Sequence, residues 1–111
     1  MPEAQAPYLQ LAEIEVDPAQ LDAYKAAVAK HVDDAIRIEP GVLLLYAVSE
    51  KDHPARIRVF EIYRDTAAYQ AHLQSAHFRT YKAVTEKMVR SLKLIPIDRI
   101  AFGAKGASGE W

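Results

Sequence analysis

Three kinds of side chain in this sequence could do chemistry at a shared site. They are histidines at 31, 53, 72 and 77, a glutamate at 61 inside an apolar run, and tyrosines at 24, 46, 63, 69 and 81. Glu61 stands between Phe60 and Ile62 and would share one face of a strand with Val59 and Tyr63. A carboxylate in such a place needs a partner unless the strand lies at an edge or that face meets water. His72 falls at helical spacing beside Tyr69 and Leu73. An imidazole there is either a hydrogen-bonded core residue or a general base, since it titrates near working pH. His31 lies on the inner edge of an earlier helix, where a core role is the simpler reading. His53, in a polar stretch beside Pro54, reads as solvated. The tyrosines are core aromatics whose hydroxyls need partners. Together, three helix histidines, one strand carboxylate and several phenols could line a single apolar pocket, the ordinary form of a small-molecule site.

Other chemistries are absent from the pattern. The four glycines sit in one turn and near the C-terminal end, so no glycine-rich nucleotide loop exists. No serine occupies a G-x-S-x-G elbow, and no cysteine is present to serve as nucleophile, thiolate ligand or disulfide partner. The five-residue step from His72 to His77 turns about 140° around a continuous helix, a poor angle for two ligands of one metal. These absences count against a nucleotide cofactor site and against a zinc site built on His72 and His77. The 111 residues carry a formal net charge of −1, which lacks the basic stripe that nucleic acid requires. No run reaches the ~18 apolar residues of a membrane span, and Met1–Glu15 has no signal-peptide pattern. The expectation is one cytoplasmic domain over residues 1–102, followed by a flexible tail at 103–111.

The elements that must position these side chains follow from periodicity. Tyr8–Val16 alternates as a first strand. Asp17, Pro18 and Gln20 mark a helix start, and Leu21, Tyr24, Val28, His31 or Val32, and Ala35 form its apolar stripe. Glu39-Pro40-Gly41 stops it. Val42–Ser49 and Ile57–Tyr63 read as two strands joined by a long hairpin loop over Glu50–Arg56. Asp65 and Thr66 can cap a second helix facing inward through Tyr69, His72 and Leu73. After a break near Ser75-Ala76, a third helical stretch presents Phe78, Tyr81, Val84 or Thr85, and Met88. Leu92–Phe102 reads as a last strand, with Pro96 placing it at an edge or bulge.

That order is the split βαβ, ferredoxin-like arrangement of the α+β class, with one four-stranded antiparallel sheet. The strands VLLLYAV and VFEIY are apolar on both faces, and helices of one chain can cover only one. A homodimer packing sheet to sheet would cover the other.

The stretch Val59–Tyr81, VFEIYRDTAAYQAHLQSAHFRTY, resembles the signature of the antibiotic biosynthesis monooxygenase superfamily. The resemblance is carried by Glu61-x-Tyr63, Ala68-x-x-x-His72 and His77-Phe78, with the Glu39-Pro40-Gly41-Val42 turn and the Asp17-Pro18 start upstream. It implies a dimeric α+β barrel, and activities that include oxygenation of quinols and phenols without flavin or metal, haem degradation, and isomerisation of a phosphorylated dicarbonyl. The haem-degrading branch wants an asparagine on the first strand, and the sequence contains none. The quinol-oxygenating branch resembles the AHLQSAHF helix, although tryptophan often stands where Tyr63 is here. The isomerase branch is similar at Glu61-x-Tyr63 and has a helix-one histidine like His31; Arg37, Arg56, Arg58 and Arg64 could meet its phosphate. Under the oxygenase reading, His72 and Glu61 are the catalytic candidates. Tyr63, Tyr69, His31, His77 and Phe78 are the residues placed against a small aromatic substrate. A non-catalytic dimer binding an aromatic molecule is the remaining alternative.

Overall fold

A computed structural model describes residues 6–106. Strand β1 spans Tyr8–Val16, and Asp17 follows it as the cap of a short 3-10 turn, Pro18–Gln20, accepting from the Ala19 amide at 3.1 Å. Helix α1, Leu21–Ile38, continues from that turn; Gln20 itself makes no capping bond. Its inward stripe is Tyr24, Val28, His31 and Ala35, and Glu39, extended ahead of Pro40, ends it.

Strands β2 (Val42–Glu50) and β3 (His53–Tyr63) correct the expected long hairpin loop. Only Lys51 and Asp52 form the turn, so His53 begins a strand, although it is exposed as expected. The register between Ser49 and Glu50 shifts, placing the extra residues around Pro54 in an irregularity where a missing amide hydrogen does least harm. Helix α2 (Thr66–Leu73) is capped by Asp65, whose Oδ1 accepts from Ala68 N at 2.7 Å. Ser75 then starts α3 (Ala76–Thr85): its Oγ accepts from Phe78 N at 3.2 Å and donates to the His72 carbonyl at 2.7 Å. One hydroxyl thus closes one helix and opens the next.

Strand β4 runs Val89–Ile97, starting before and ending well before the expected Leu92–Phe102. The reason lies in its partner. Leu9 of β1 pairs with Ile97, and β1 begins only one residue earlier, at Tyr8, so β1 offers no length to support a strand as far as Phe102. Residues 98–106 form no strand or helix, and the rest of the expected tail, 107–111, lies outside the described residues.

The sheet is antiparallel in the order β2-β3-β1-β4, with all helices on one face, so the architecture is α+β and ferredoxin-like. β4 is an edge strand, which accommodates Pro96. Beneath the helices Ala12, Ile14, Val16, Ile57 and Val59 pack on Tyr24 and Val28, and a smaller cluster joins Ala35, Val42, Tyr63 and Ala68. The opposite face is divided in two. At one end Leu9, Leu11, Leu44, Tyr46, Phe60, Ile62, Ile95 and Ile97 lie side by side in register. At the other, Arg58 bridges Glu13 and Glu50 at 3.4 and 3.5 Å, and Arg56 bridges Glu15 and Glu50 at 3.8 and 3.9 Å. No helix among the described residues is long and apolar enough to cross a membrane.

Replacing Ser75 with alanine removes the cap of α3 and the tie to α2. A loss of about 1 kcal/mol is expected, read as a melting temperature lower by roughly 4–8 °C in thermal denaturation followed by circular dichroism.

Candidate functional site

The cavity between sheet and helices has a volume of about 110 Å³. For scale, an apolar cavity of ~150 Å³ takes up benzene. Its floor is Gln10 and Ala12 of β1 and Val59, Glu61 and Tyr63 of β3; its roof is His31 of α1, Tyr69 and His72 of α2, and Phe78 and Tyr81 of α3.

Glu61 points toward the helices because it alternates with Phe60 and Ile62 and falls in phase with Val59. Its Oε1 accepts from the Tyr63 hydroxyl at 2.5 Å and from Gln10 Nε2 at 3.4 Å, while Tyr8 donates to Gln10 Oε1 at 3.2 Å. Oε2 has no protein donor among the described residues. Burial raises the Glu61 pKa, and the bonds from Tyr63 and Gln10 oppose that rise. The Tyr63 phenol is pushed well above its usual range by burial and by the neighbouring carboxylate, so it acts as a donor and not as a base.

His72 is 2% exposed. Its Nδ1 lies 2.7 Å from Glu39 Oε2, and His77 Nε2 lies 2.5 Å from the same oxygen. Burial lowers the His72 pKa, and the bond and charge of Glu39 work against this. His31 packs against His72 with ring centres 5.1 Å apart and stacks on Tyr81 at 4.7 Å. Burial, then the neighbouring imidazoles, lower its pKa to about 4, so it is neutral at ordinary pH, and its Nδ1 is buried without a hydrogen-bond partner. Tyr24 and Tyr81 share a hydrogen bond of 2.6 Å beside it.

Six of the seven residues singled out in the sequence, Glu61, His72, Tyr63, Tyr69, His31 and Phe78, line the cavity. His77 does not. It faces an outer groove of about 150 Å³ between α1 and α3 and reaches the site only through Glu39. Glu39 itself was not singled out, because a glutamate ahead of Pro-Gly reads as part of a turn. Gln10 was missed for a different reason: one polar residue on an alternating strand looks solvent-facing, although it is 4% exposed. Arg37, Arg56, Arg58 and Arg64, considered as phosphate contacts, all lie elsewhere: each pairs with carboxylates outside the cavity. Lys82 is the cation on the lining.

The break at Ser75 also overturns the angle drawn for a continuous helix, since His72 and His77 converge on Glu39. Their ligand atoms lie within 4.8 Å of one another, a donor set of the type divalent metals use. The spacing is that of hydrogen bonds, however. Two ligands ~2.1 Å from one ion at 90° or wider stand ~3 Å or more apart, and both nitrogens are nearer to Oε2 than that.

A family model for antibiotic biosynthesis monooxygenases matches residues 7–84. The chain belongs to that family. A protein from Bacteroides thetaiotaomicron, provisionally named an antibiotic biosynthesis monooxygenase, is 40% identical over 92% of this chain and 97% of its own, with a TM-score of 0.86. Similarly named proteins from Caulobacter crescentus (18% identical, TM-score 0.82, 89% of this chain and 94% of that one) and Nitrosomonas europaea (22% identical, TM-score 0.80, 86% and 92%) share the fold. No curated protein gives a significant match. Membership in the monooxygenase family supports a monooxygenase-like function for this chain.

His31 supplies a pH signature. It ionises at about 4 when folded but near ~6.5 in an unfolded chain. Between those values the unfolded chain binds the proton and the folded one does not. Stability therefore falls as pH drops through the window, by ~3 kcal/mol at ~1.4 kcal/mol per pH unit. Burial of the His72 imidazole adds to this loss, while the raised Glu61 pKa opposes it at the acidic end. Urea midpoints measured from pH 7 to pH 4 should fall more steeply for the native sequence than for His31→Gln.

Proposed function

We propose that this chain is a cofactor-independent monooxygenase for a single-ring quinol or electron-rich phenol. The observation that carries the reading is a ring-sized apolar cavity whose polar lining includes a buried imidazole and a carboxylate oxygen without a donor among the described residues. A phenolate can pass an electron to O₂ directly, so the protein need only deprotonate, orient and exclude water.

In this reading His72, held through Nδ1, takes the substrate hydroxyl proton on Nε2. The phenolate reduces O₂, a bond forms between a ring carbon and one oxygen atom, and the O–O bond then breaks. One oxygen stays on the ring as the new carbonyl. The other leaves as water, carrying the hydroxyl proton returned by His72 and the proton lost from the ring carbon. Glu61 Oε2 accepts from a second substrate hydroxyl, and the neutral ring of His31 forms part of the wall beside it. Tyr63 and Tyr69 hold the ring at its edge, and Phe78 and Tyr81 close over it. Discrimination against haem follows from size, since the volume suits one ring. The isomerase alternative lacks an arginine cluster at the cavity for its phosphate.

The same reading includes a two-fold homodimer. The apolar end of the open sheet face, from Leu9 across Phe60 to Ile95, is the surface a second copy would cover. About 800 Å² of apolar burial is worth roughly 20 kcal/mol before the costs of association. The ion-paired end would fix the register between the two sheets.

Oxygen uptake with a panel of quinols tests the chemistry. His72→Ala should lose ~10²–10⁴-fold in kcat, and equal uptake by both proteins would remove His72 from its role. Anaerobic turnover of a phosphorylated dicarbonyl would favour the isomerase, and thermal stabilisation by ligands without any turnover would favour a binding protein. Sedimentation at low micromolar protein should give twice 12.4 kDa, and a folded monomer would refute the sheet-to-sheet dimer.

A further inference from the structure

Gly41 has no room for a side chain. A Cβ built there would lie 2.5 Å from the Ala68 Cβ, well inside contact distance. The turn that ends α1 is therefore pressed against the first turn of α2, and the Arg64 amide donates to the Gly41 carbonyl at 2.8 Å to close the approach. Ala68 is buried, and its amide is held by the Asp65 cap. Four residues later, on the same face of the helix, His72 arrives over Glu39, two positions before Gly41. His77 reaches the same Glu39 oxygen from beyond the Ser75 break.

We propose that Glu39 is the positioning residue for His72, and that the Gly41–Ala68 contact sets the reach between them. A carboxylate oxygen only accepts hydrogen bonds, so the imidazole it holds must carry its proton on Nδ1. That leaves Nε2 bare on the cavity side, the state a base requires. A carboxylate behind an imidazole fixes tautomer and ring orientation together. His77, donating to the same oxygen, keeps Glu39 from turning away. The Glu39-Pro40-Gly41 turn and the Ala68-x-x-x-His72 helix, separate features in the sequence, are thus two halves of one device. This assignment deepens the reading of His72 as a base, yet the tautomer exists whether or not any substrate is oxidised.

The test uses the full chain labelled with ¹⁵N, and long-range ¹⁵N–¹H spectra that report which ring nitrogen of each histidine is protonated. In the native sequence His72 should be the Nδ1–H tautomer at neutral pH. Glu39→Ala removes the one oxygen that accepts from both imidazoles, and His72 should become a mixture of tautomers. Gly41→Ala, which leaves Glu39 intact, should produce the same mixture by moving α2 outward. Oxygen uptake in both variants should show a reduced kcat with KM little changed. A native His72 protonated on Nε2 overturns the proposal, and this measurement needs no variant to fold. So does an unchanged tautomer in a folded Glu39→Ala protein. An Nδ1–H His72 in a protein that oxidises no quinol leaves the positioning role standing and removes the oxygenase.

Discussion

A single carboxylate oxygen, Glu39 Oε2, takes hydrogen bonds from two imidazoles carried by two different helices. Glu39 ends α1, His72 lies near the end of α2 and His77 begins α3, so the three roof elements of the cavity meet at that atom. The three side chains are 3–14% exposed, and in so dry a place a bond lost is not replaced by water. The interaction is therefore both an anchor and a constraint. It ties α2 and α3 to the end of α1 across the break that Ser75 makes between them.

Dryness also decides the charge state of the cavity. His31 and His72, with ring centres 5.1 Å apart, are both pushed toward the neutral form by burial. The outcome differs by partner. His31, without a carboxylate bonded to it, is strongly shifted toward neutrality, whereas the shift of His72 is opposed by Glu39. Similar residues thus become a neutral wall and a held base. Glu61 shows the same division among acids: its Oε1 is committed to Tyr63 and Gln10, and only its other oxygen remains for a ligand.

The fold was legible in the sequence because its signals are local. Asp17-Pro18, Glu39-Pro40-Gly41, Asp65 and Ser75 each act within a few residues, and each marks a real boundary. Errors came where boundaries depend on a partner far along the chain. The β2–β3 turn is short because Glu50 of β2 still pairs with His53 and Glu15 of β1 with Arg56, and β4 stops at Ile97, opposite Leu9 near the start of β1. Most of the site was legible too, since Glu61 and His72 stand out as polar residues in apolar phases. Glu39 gave no such signal. Its partners are 33 and 38 residues away, and only the closeness allowed by Gly41 brings them together.

Strand β3 joins the two faces of the sheet. Val59, Glu61 and Tyr63 face the cavity, while Arg58, Phe60 and Ile62 face the opposite side among ion pairs and apolar neighbours. Because side chains alternate along a strand, a slip of one residue would exchange the two sets. It would put Glu61 on the open face and Phe60 in the cavity, losing the site and exposing a charge to the apolar patch at once. The central strands β3 and β1 are paired on both sides, which resists such a slip; the bulges lie toward strand ends, at Val42–Leu44, Ser49–Glu50 and Glu15–Val16, while Glu61 itself pairs with Gln10 and Leu45. The irregularity the sheet requires is placed at strand ends, and the strand bearing the carboxylate keeps its phase where the chemistry needs it.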